Sequence, residues 1–280
     1  MLNDDLLIRK KSLPKWFVDN IEEWVTKWKN WMPLNCVADL YLHRRPKKLH
    51  SFRRRFLTIM DMIKSERNNS VLDVGCSAGI FSVQLAKKSK HVYGLDTYPR
   101  IFLLARLLAR SENVEEKTSF LVGRCEALQF RYDSFDLILC GEIIEHLSNP
   151  ELSMTEVRRV LKPGTTLVIS TPNEGNLFRA FLHKFLPLTP GHIHEFNIYE
   201  LRKLVETSKM RVVSTIFINP VLEPISSWVI QRIPNTWFDR IYVPLCSLIE
   251  KTPLIRSILC ETIVIKCKKH IRQKKLQRKQ

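Results

Sequence analysis

The feature that most constrains the fold is an alternation of short apolar runs and amphipathic stretches that begins at Val71. The apolar runs have the length of β-strands, and in the stretches between them apolar residues recur every three or four positions, as in helices. The predicted strands are 71–74, 91–96, 119–122, 136–140 and 166–170, and the predicted helices are 80–88, 101–110 and 150–161. This order is typical of βαβ units, which form parallel sheets.

Segments on both sides extend this core. Residues 212–218 and 261–266 have strand composition, so we predict an α/β fold: a Rossmann-like, doubly wound, mostly parallel seven-stranded sheet with helices on both faces. Trp16, Trp24 and Trp28 recur at helical spacing and predict an N-terminal helical cap. The predicted domains are the cap (1–68), the α/β core (69–218), a helical insertion rich in aromatic residues and proline (219–260), and the last strand with a basic tail (261–280).

The chain carries a formal net charge of +17, and its basic residues cluster in segments such as 9–11, 43–55 and 266–279. A surface of this kind attracts phosphates, anionic lipid headgroups or nucleic acid. An anionic membrane surface and RNA are therefore candidate partners. Solvated basic faces and a frayed tail explain each cluster equally well when it is taken alone.

Cysteine usage and apolar patterning bear on the compartment. The seven cysteines include no Cys-x-x-Cys pair, which argues against a zinc site and against a disulfide framework. The first residues lack a basic segment followed by an apolar one, and no apolar run reaches the roughly 18 residues of a membrane-spanning helix. We therefore expect a cytoplasmic protein, with peripheral membrane attachment as the alternative.

A turn rich in small residues follows the first predicted strand and reads Asp-Val-Gly-Cys-Ser-Ala-Gly over 73–79. A strand that turns into a helix in this way presents backbone N–H groups and the positive helix end to a ligand. A dinucleotide fingerprint needs glycine at its first, third and sixth positions, and here those positions hold Gly75, Ser77 and Ile80. The spacing therefore argues against a pyrophosphate ligand.

The turn matches the pattern Asp-x-Gly-x-x-x-Gly, and over about residues 70–218 the chain resembles class I S-adenosylmethionine-dependent methyltransferases. The resemblance implies that the activity is methyl transfer and that the cofactor is S-adenosylmethionine. It also implies that Gly75 and Gly79 pack against the methionine part of the cofactor and that Asp96 accepts hydrogen bonds from the ribose hydroxyls. The other predicted contributors from the turn are Asp73, Cys76 and Ser77.

One position departs from the family pattern. The residue after the Val-Gly of the third strand is usually an Asp that meets the adenine amino group, but here Val122-Gly123 is followed by Arg124. The adenine contact is therefore predicted to come from the backbone at Cys125 or from the side chain of Glu126.

Acidic residues and a histidine follow the fourth predicted strand, at the sheet edge where open α/β folds bind ligands. If they form a helical turn, Glu142, Glu145 and His146 share one face. The pattern Glu-x-x-Glu-His resembles two groups, the ubiquinone-biosynthesis O-methyltransferases and the small-RNA 2′-O-methyltransferases. In the second group, the corresponding residues and a later His hold a divalent metal. Here that later residue is predicted to be His192, which aligns better than His194.

Three interpretations of this group stay open. In the first, Glu142, Glu145, His146 and His192 bind Mg²⁺ or a similar ion that polarises a substrate hydroxyl. In the second, His146 is the general base, with Glu145 beside it in the catalytic site. In the third, Glu142 bonds to the amides of the cofactor turn and His146 caps a turn.

The acceptor is predicted less narrowly than the cofactor. We favour O-methylation of a small-molecule or lipid acceptor, because Trp228, Trp237 and Phe238 of the insertion could line a lipophilic pocket. RNA 2′-O-methylation is the alternative, although no RNA-binding module is recognisable. A non-catalytic binding scaffold with the same fold is the third candidate. The sequence does not determine the oligomeric state.

Overall fold

The computed structural model describes residues 50–66, 69–177, 192–220, 237, 240–241 and 243–271. The predicted helix around Trp24, the residues around Trp228 and most of the basic tail lie outside the described residues. The division into cap, core, insertion and tail therefore stays a prediction.

The described strands and helices follow the predicted order, with no α-helix between the third and fourth strands and two consecutive helices before the last strand. The strands are β1 (Ser70–Val74), β2 (His91–Asp96), β3 (Thr118–Val122), β4 (Phe135–Gly141), β5 (Leu161–Pro172), β6 (Met210–Pro220) and β7 (Cys260–Lys269). The α-helices are α1 (His50–Ile63), α2 (Ile80–Ala86), α3 (Phe102–Ser111), α4 (Pro150–Val160), α5 (Ile198–Thr207), α6 (Val243–Lys251) and α7 (Pro253–Leu259). None of the described helices is both long enough and apolar enough to cross a membrane.

The seven strands form one sheet in the order β3-β2-β1-β4-β5-β7-β6. Strand β1 pairs with β2 and β4, β2 pairs with β3, and β4 pairs with β5, all in parallel. Strand β7 is antiparallel to both β5 and β6. The predicted doubly wound, mostly parallel sheet is therefore confirmed. The chain reverses its direction of travel at β1, so the crevice beyond the carboxyl ends of β1 and β4 is where such a sheet binds ligands.

Apolar layers cover both faces of the sheet, as the central strand β4 shows. Leu137 and Leu139 join the cluster that contains residues of α1, α2 and α3. Ile138 and Cys140 join the cluster that contains residues of α4 and α5. Because both faces are buried, the strand reads as a continuous apolar run. This packing fixes the point at which the chain leaves β4 and enters the crevice.

The start of α4 follows its predicted signal, and its end is one residue shorter than predicted. Asn149 accepts a hydrogen bond from the backbone N–H of Leu152 at 2.8 Å, and Pro150 occupies the first turn. Leu161 is extended and pairs with Phe135 of β4. Strand β5 therefore begins five positions before the prediction, because the chain enters the sheet directly from the helix.

Charged side chains attach α1 to the C-terminal half of the sheet. Lys266 of β7 contacts Glu66, just beyond the helix, with an N–O distance of 2.6 Å, and donates to the carbonyl of Met62 at 2.8 Å. Arg54 of α1 pairs with Glu250 of α6. Helix α1 thus packs as part of the core, and its neighbour Arg55 is carried to the ligand-binding edge.

Candidate active site

The turn between β1 and α2 is bonded to the end of β2. The backbone N–H groups of Gly75 and Cys76 donate to the carbonyl of Leu95 at 2.8 and 3.0 Å. The N–H of Ser77 donates to Asp96 Oδ2 at 2.9 Å. Gly75 and Ser77 lie in the left-handed region, with φ of 71° and 49°. These bonds hold the turn against the end of β2, where Asp96 is predicted to bind the ribose.

The two glycines of the turn leave no room for side chains. Gly79 has φ of 76°, and a Cβ there would lie 2.8 Å from Ala105 Cβ and 3.1 Å from the ring of Phe120. A Cβ at Gly75 would lie 2.9 Å from Ile143 Cδ1. In the sequence analysis, these glycines are predicted because they pack against the cofactor. The structure gives a second reason for glycine at both positions: the turn packs closely on α3, β3 and the loop after β4.

The remaining atoms of the turn fit the implied cofactor. Ser77 Oγ is buried and has no hydrogen-bond partner in the part of the chain that the structure describes. Such a hydroxyl is costly unless a ligand or water bonds to it. Cys76 is 6% exposed, and burial holds the pKa of its thiol well above the ordinary value. Of these two predicted contacts, Cys76 therefore has only its backbone to offer to a ligand, whereas Ser77 offers a side-chain atom.

Asp96 is placed to hold a diol as well as the turn. Its carboxylate accepts the N–H of Ser77 at 2.9 Å and that of Tyr98 at 3.1 Å, one bond on each oxygen. A carboxylate oxygen can accept two hydrogen bonds. Each oxygen of Asp96 therefore keeps capacity for one ribose hydroxyl.

Replacing Asp96 with alanine is expected to weaken binding of S-adenosylhomocysteine, the demethylated cofactor, about 30- to 150-fold. Hydrogen bonds to a charged acceptor contribute about 2–3 kcal/mol, and the loss also loosens the turn. Isothermal titration calorimetry measures the affinity. The control is Asp61→Ala, which removes an exposed carboxylate paired with Lys64 on α1 and should leave the affinity unchanged. Equal affinities for Asp96→Ala and the wild type would contradict the ribose assignment.

Asp73 supports the turn from beneath. It is 2% exposed and accepts a hydrogen bond from Ser82 Oγ at 2.6 Å. Burial, with a smaller contribution from the charge of Asp96, raises the pKa of Asp73 to about 7. The sequence predicts Asp73 as a cofactor contact, but its burial places the carboxyl under the turn rather than in the crevice.

Replacing Asp73 with asparagine is expected to remove part of the pH dependence of stability. The Asp73 carboxyl keeps its proton up to about pH 7 in the folded state, whereas it loses the proton near pH 4 in the unfolded chain. The stabilisation of the folded state by this proton is therefore complete below about pH 4. The free energy of unfolding then falls as the pH rises toward 7. Urea denaturation measures the free energy of unfolding of both proteins. The wild-type free energy minus that of Asp73→Asn should fall by about 2 kcal/mol between about pH 5 and 7. A difference independent of pH would contradict this.

The residues on the adenine side differ in exposure. Arg124 is exposed, whereas Cys125 is buried in the core, and burial raises the pKa of its thiol to about 12. Glu126 Oε1 accepts the backbone N–H of Ser148 at 3.2 Å, so its carboxylate links this segment to the loop before α4. The predicted contact at Cys125 is thus limited to its backbone.

The segment after β4 does not form one helical turn from Glu142 to His146. The prediction that Glu142, Glu145 and His146 share one face depended on such a turn. Glu142 has φ of 52°, and the 3₁₀ turn covers only Ile144–His146. The N–H of Glu142 donates to the carbonyl of Ser170 at 2.9 Å, and its carboxylate pairs with Arg55 at 2.9 Å. Glu142 therefore does not share a helical face with the other two residues, although its charge lies near Glu145. Arg55 is a site residue that the sequence reasoning missed, and its basic neighbours on α1 were the available signal.

Glu145, His146 and His192 come together at this edge. The ligand atoms of the three residues lie within 4.8 Å of one another. The rings of His146 and His192 meet edge to face, with their centroids 4.7 Å apart. Glu142 is not a member of the group, so the predicted four-residue cluster is reduced to three among the described residues. The choice of His192 over His194 agrees with this geometry.

Backbone and side-chain bonds to Glu145 assemble the group. The carbonyl of Glu145 accepts the N–H groups of Ile193 and His194 at 2.9 and 3.0 Å, which brings His192 to the turn. Thr171, at the end of β5, donates to Glu145 Oε2 at 3.1 Å. Glu145 is 1% exposed. Burial and the neighbouring charge of Glu142 hold the pKa of the Glu145 carboxyl above its ordinary value.

Comparisons with known proteins agree with this geometry. A family model described as a methyltransferase domain matches residues 65–211. Ubiquinone biosynthesis O-methyltransferase of Hahella chejuensis is 33% identical over 172 residues, which are 59% of this chain and 68% of that protein. Norajmaline N-methyltransferase of Rauvolfia serpentina is 35% identical over 124 residues, 44% of this chain and 42% of that protein. The YcgJ protein of Bacillus subtilis has a similar fold, with 20% identity, a TM-score of 0.57, and coverage of 78% of this chain and 99% of that one.

The family match spans more than half of the chain and contains both the cofactor turn and the group around His146. The chain spans less than half the length of the Rauvolfia relative, and the two relatives differ in the acceptor atom that their names state. The family therefore follows from the match, whereas the acceptor does not. The chain belongs to the methyltransferase-domain family and is a class I S-adenosylmethionine-dependent methyltransferase.

Proposed function

We propose that the protein transfers a methyl group from S-adenosylmethionine to a hydroxyl of a small or lipophilic acceptor, with His146 as general base. The observation that carries the proposal is the group of Glu145, His146 and His192 beside the cofactor turn. Ile143, two positions before the group begins in the chain, packs on Gly75 of that turn. The base and the cofactor therefore meet at one edge of the sheet.

His146 is the member of the group that an acceptor can reach. Its side chain is exposed, whereas Glu145 is buried beneath it. A ring nitrogen of a histidine can accept a proton from a hydroxyl, which suits a general base. The bound cofactor supplies the activated methyl group and its own leaving group. This chain has to align the acceptor and remove one proton, and the neighbouring ring of His192 limits how the base can turn.

The donor atoms of the group do not fit Mg²⁺. The group offers two imidazole nitrogens and one carboxylate. Mg²⁺ prefers oxygen ligands in octahedral geometry, whereas imidazole suits metals such as Zn²⁺. Glu142, which would have added an oxygen, is paired with Arg55. The group therefore suits a general base better than a Mg²⁺ site.

The choice of a hydroxyl follows from the presence of a base. The Hahella relative is named for O-methylation and the Rauvolfia relative for N-methylation. A hydroxyl must lose its proton during methylation, whereas a neutral amine attacks with its lone pair and needs no base beforehand. A histidine at the cofactor edge therefore favours the oxygen acceptor.

A lipophilic acceptor is supported by the apolar surface of α6 and α7. Leu245, Leu248 and Ile255 on these helices are exposed. Helix α7 is anchored to the same sheet edge as the active site, because Asn173, just after β5, donates to the carbonyls of Ser257 and Cys260, each at 2.9 Å. Ile255 therefore stands on a helix that is bonded to the residue just after β5, and Leu245 and Leu248 lie on the helix directly before it.

Methyl transfer from labelled S-adenosylmethionine to a panel of acceptors tests the proposal. The panel holds soluble phenols, prenylated phenols, amines and RNA, and Asp96→Ala serves as the cofactor-deficient control. We expect label on phenolic oxygen, with more on the prenylated compounds, and undiminished turnover in excess chelator. Label confined to RNA or to amines would contradict the proposal. Loss of turnover in chelator with recovery on metal addition would contradict the metal-free base.

A further inference from the structure

We infer that an apolar stripe on α6 and on the residues just before it docks the protein on an anionic lipid bilayer. Four residues form this α6 stripe: Trp237, Ile241, Leu245 and Leu248. The stripe lies beyond the family match, which ends at residue 211. The inference rests on the proposed lipophilic acceptor for its role in the reaction, whereas the docking itself requires neither cofactor nor acceptor.

The α6 stripe exposes large apolar side chains to water. Trp237 and Leu248 are 62% and 63% exposed, and the two residues between them in the stripe are also exposed. The intervals of four, four and three residues are those of a single helix face, and the last two members both lie within α6. Exposed apolar side chains that are contiguous in this way usually mark a surface that binds a partner. The α6 stripe is therefore a candidate docking surface rather than a set of scattered residues.

The opposite face of α6 anchors the helix to the rest of the fold. Cys246 is buried, and Glu250 pairs with Arg54 of α1. Glu250 also accepts the backbone N–H of Asn219, near the end of β6, at 3.1 Å. Because these contacts fix the inner face of the helix, α6 cannot rotate to bury the α6 stripe. The stripe therefore stays outward as long as the fold is intact.

The α6 stripe belongs to the part of the chain that joins two strands at the catalytic edge. Pro172 at the end of β5 pairs with Thr262 of β7. Pro220 at the end of β6 pairs with Cys260 at the start of β7. The chain therefore leaves β6 and enters β7 at the edge where β5 ends. A bilayer that receives the stripe would lie on the side of the molecule that holds the crevice, where a lipophilic acceptor has to enter.

The exposed charges beside the α6 stripe are positive. Arg240 and Lys251 are exposed near its two ends. Glu250 is paired with Arg54, and none of the described residues from 237 to 258 is an exposed acid. At a bilayer surface, aliphatic side chains and Trp enter the interface, while Arg and Lys reach the phosphate headgroups. The apolar and the cationic residues of this surface therefore both find partners in an anionic bilayer.

A second copy of the chain is a poorer partner for the α6 stripe. Each copy carries a formal net charge of +17, so two copies repel each other at long range. In a twofold contact between antiparallel stripes, Arg240 and Lys251 would also face each other across the contact. A dimer through this surface would therefore bring like charges together at both of its ends.

RNA satisfies only part of this surface. Its phosphates would pair with Arg240 and Lys251, and a base could stack on Trp237. The three aliphatic residues of the α6 stripe would stay in contact with water, because a nucleic acid offers few apolar groups apart from the faces of its bases. An anionic bilayer covers these residues as well as the cations.

Flotation of the whole chain with lipid vesicles tests the inference. We expect the wild type to bind vesicles of equal parts phosphatidylcholine and phosphatidylglycerol, and to bind phosphatidylcholine alone more weakly. Replacing Leu245 and Leu248 together with serine should weaken binding to the anionic vesicles by at least about tenfold, because two leucine side chains no longer enter the bilayer. The matched control replaces Leu103 and Leu152, which are exposed leucines on α3 and α4, and should bind like the wild type.

A second pair of variants tests the cations and does not depend on the leucines. Arg240→Gln combined with Lys251→Gln should weaken binding to the anionic vesicles about five- to thirtyfold, since each cation near an anionic surface contributes about 1 kcal/mol. Arg202→Gln combined with Lys203→Gln removes the same charge from the exposed side of α5 and is the matched control. Circular dichroism shows whether all four variants keep the wild-type fold.

The contrary outcomes are distinct. A folded wild type that does not float with the anionic vesicles overturns the inference. Binding that high salt abolishes and that the leucine variant leaves unchanged would assign the attachment to the basic segments, and overturns the role of the α6 stripe. A wild-type dimer that the leucine variant converts to a monomer, without vesicle binding, would assign the stripe to a second copy. Binding of RNA in place of vesicles, weakened in the leucine variant, would assign it to a nucleic acid.

The docking and the proposed function fail separately. A wild type that binds the vesicles but methylates no phenol keeps the docking and overturns the proposed acceptor. A wild type that methylates soluble phenols but does not bind the vesicles keeps the methyl transfer and overturns the docking. Where both hold, the leucine variant should methylate a prenylated phenol embedded in anionic vesicles at least about fivefold more slowly than the wild type, and a soluble phenol at the same rate.

Discussion

Replacing His146 with alanine is expected to lower kcat about 10²- to 10⁴-fold, the usual contribution of a positioned general base. The loss arises because no other exposed member of the group can take the proton. Glu145 is buried, and its carboxyl accepts a hydrogen bond from Thr171. The raised pKa of this carboxyl means that it tends to keep its own proton. The affinity for S-adenosylhomocysteine should stay within about twofold of the wild type, because His146 does not belong to the cofactor turn.

Steady-state kinetics with the acceptor found in the labelling screen, combined with calorimetry, measures both quantities. His270→Ala is the matched control, since His270 is exposed just beyond β7 and far along the chain from the crevice. His192→Ala should reduce kcat less than His146→Ala does, because His192 orients the base rather than acting as the base. Equal losses for the two histidines, together with loss of bound metal, would favour a metal site over the general base.

Replacing Gly79 with alanine is expected to destabilise the folded protein by about 2–5 kcal/mol. The new methyl group would lie 2.8 Å from Ala105 Cβ and 3.1 Å from the Phe120 ring, and both neighbours are buried, so the packing around them would have to shift. Overpacking of this kind costs about 1–3 kcal/mol. The φ of 76° adds about 1–2 kcal/mol for a residue with a Cβ.

Urea denaturation followed by circular dichroism measures this change. Gly141→Ala, at the end of β4, is the matched control: a Cβ there finds its nearest neighbours at 3.9 Å, so we expect a cost below about 1 kcal/mol. If Gly79→Ala were as stable as Gly141→Ala, the turn would have to be looser than its contacts with α3 and β3 imply.

Local patterns account for what the sequence predicted correctly. Strand β2 has its predicted bounds, and Asn149 caps α4 as predicted. In both cases the signal and the structure involve residues close together in the chain. The parallel part of the sheet was also predictable, because most of its strands are apolar runs followed by helices and the connections of parallel strands have one common geometry.

The errors at the site come from contacts between distant parts of the chain. Helical spacing placed Glu142 with Glu145 and His146, but its pairing with Arg55 and its bond to Ser170 draw it into another conformation. No local pattern around Glu142 contains either partner. His192 was predictable because a short motif carries it, whereas Thr171, which bonds to Glu145, lies in an apolar strand with no signal of its own.

The position of β7 has a consequence for folding during synthesis. This strand is inserted between β5 and β6, both of which precede it in the chain. Among the described strands, only β7 covers this edge of β5 and pairs with β6, so neither pairing can form until residues 260–269 have left the ribosome. Open strand edges invite pairing with other chains. A nascent chain that already contains the complete cofactor turn and the histidine group is therefore still incompletely folded, and it depends on β7 to complete the described sheet before it meets another copy.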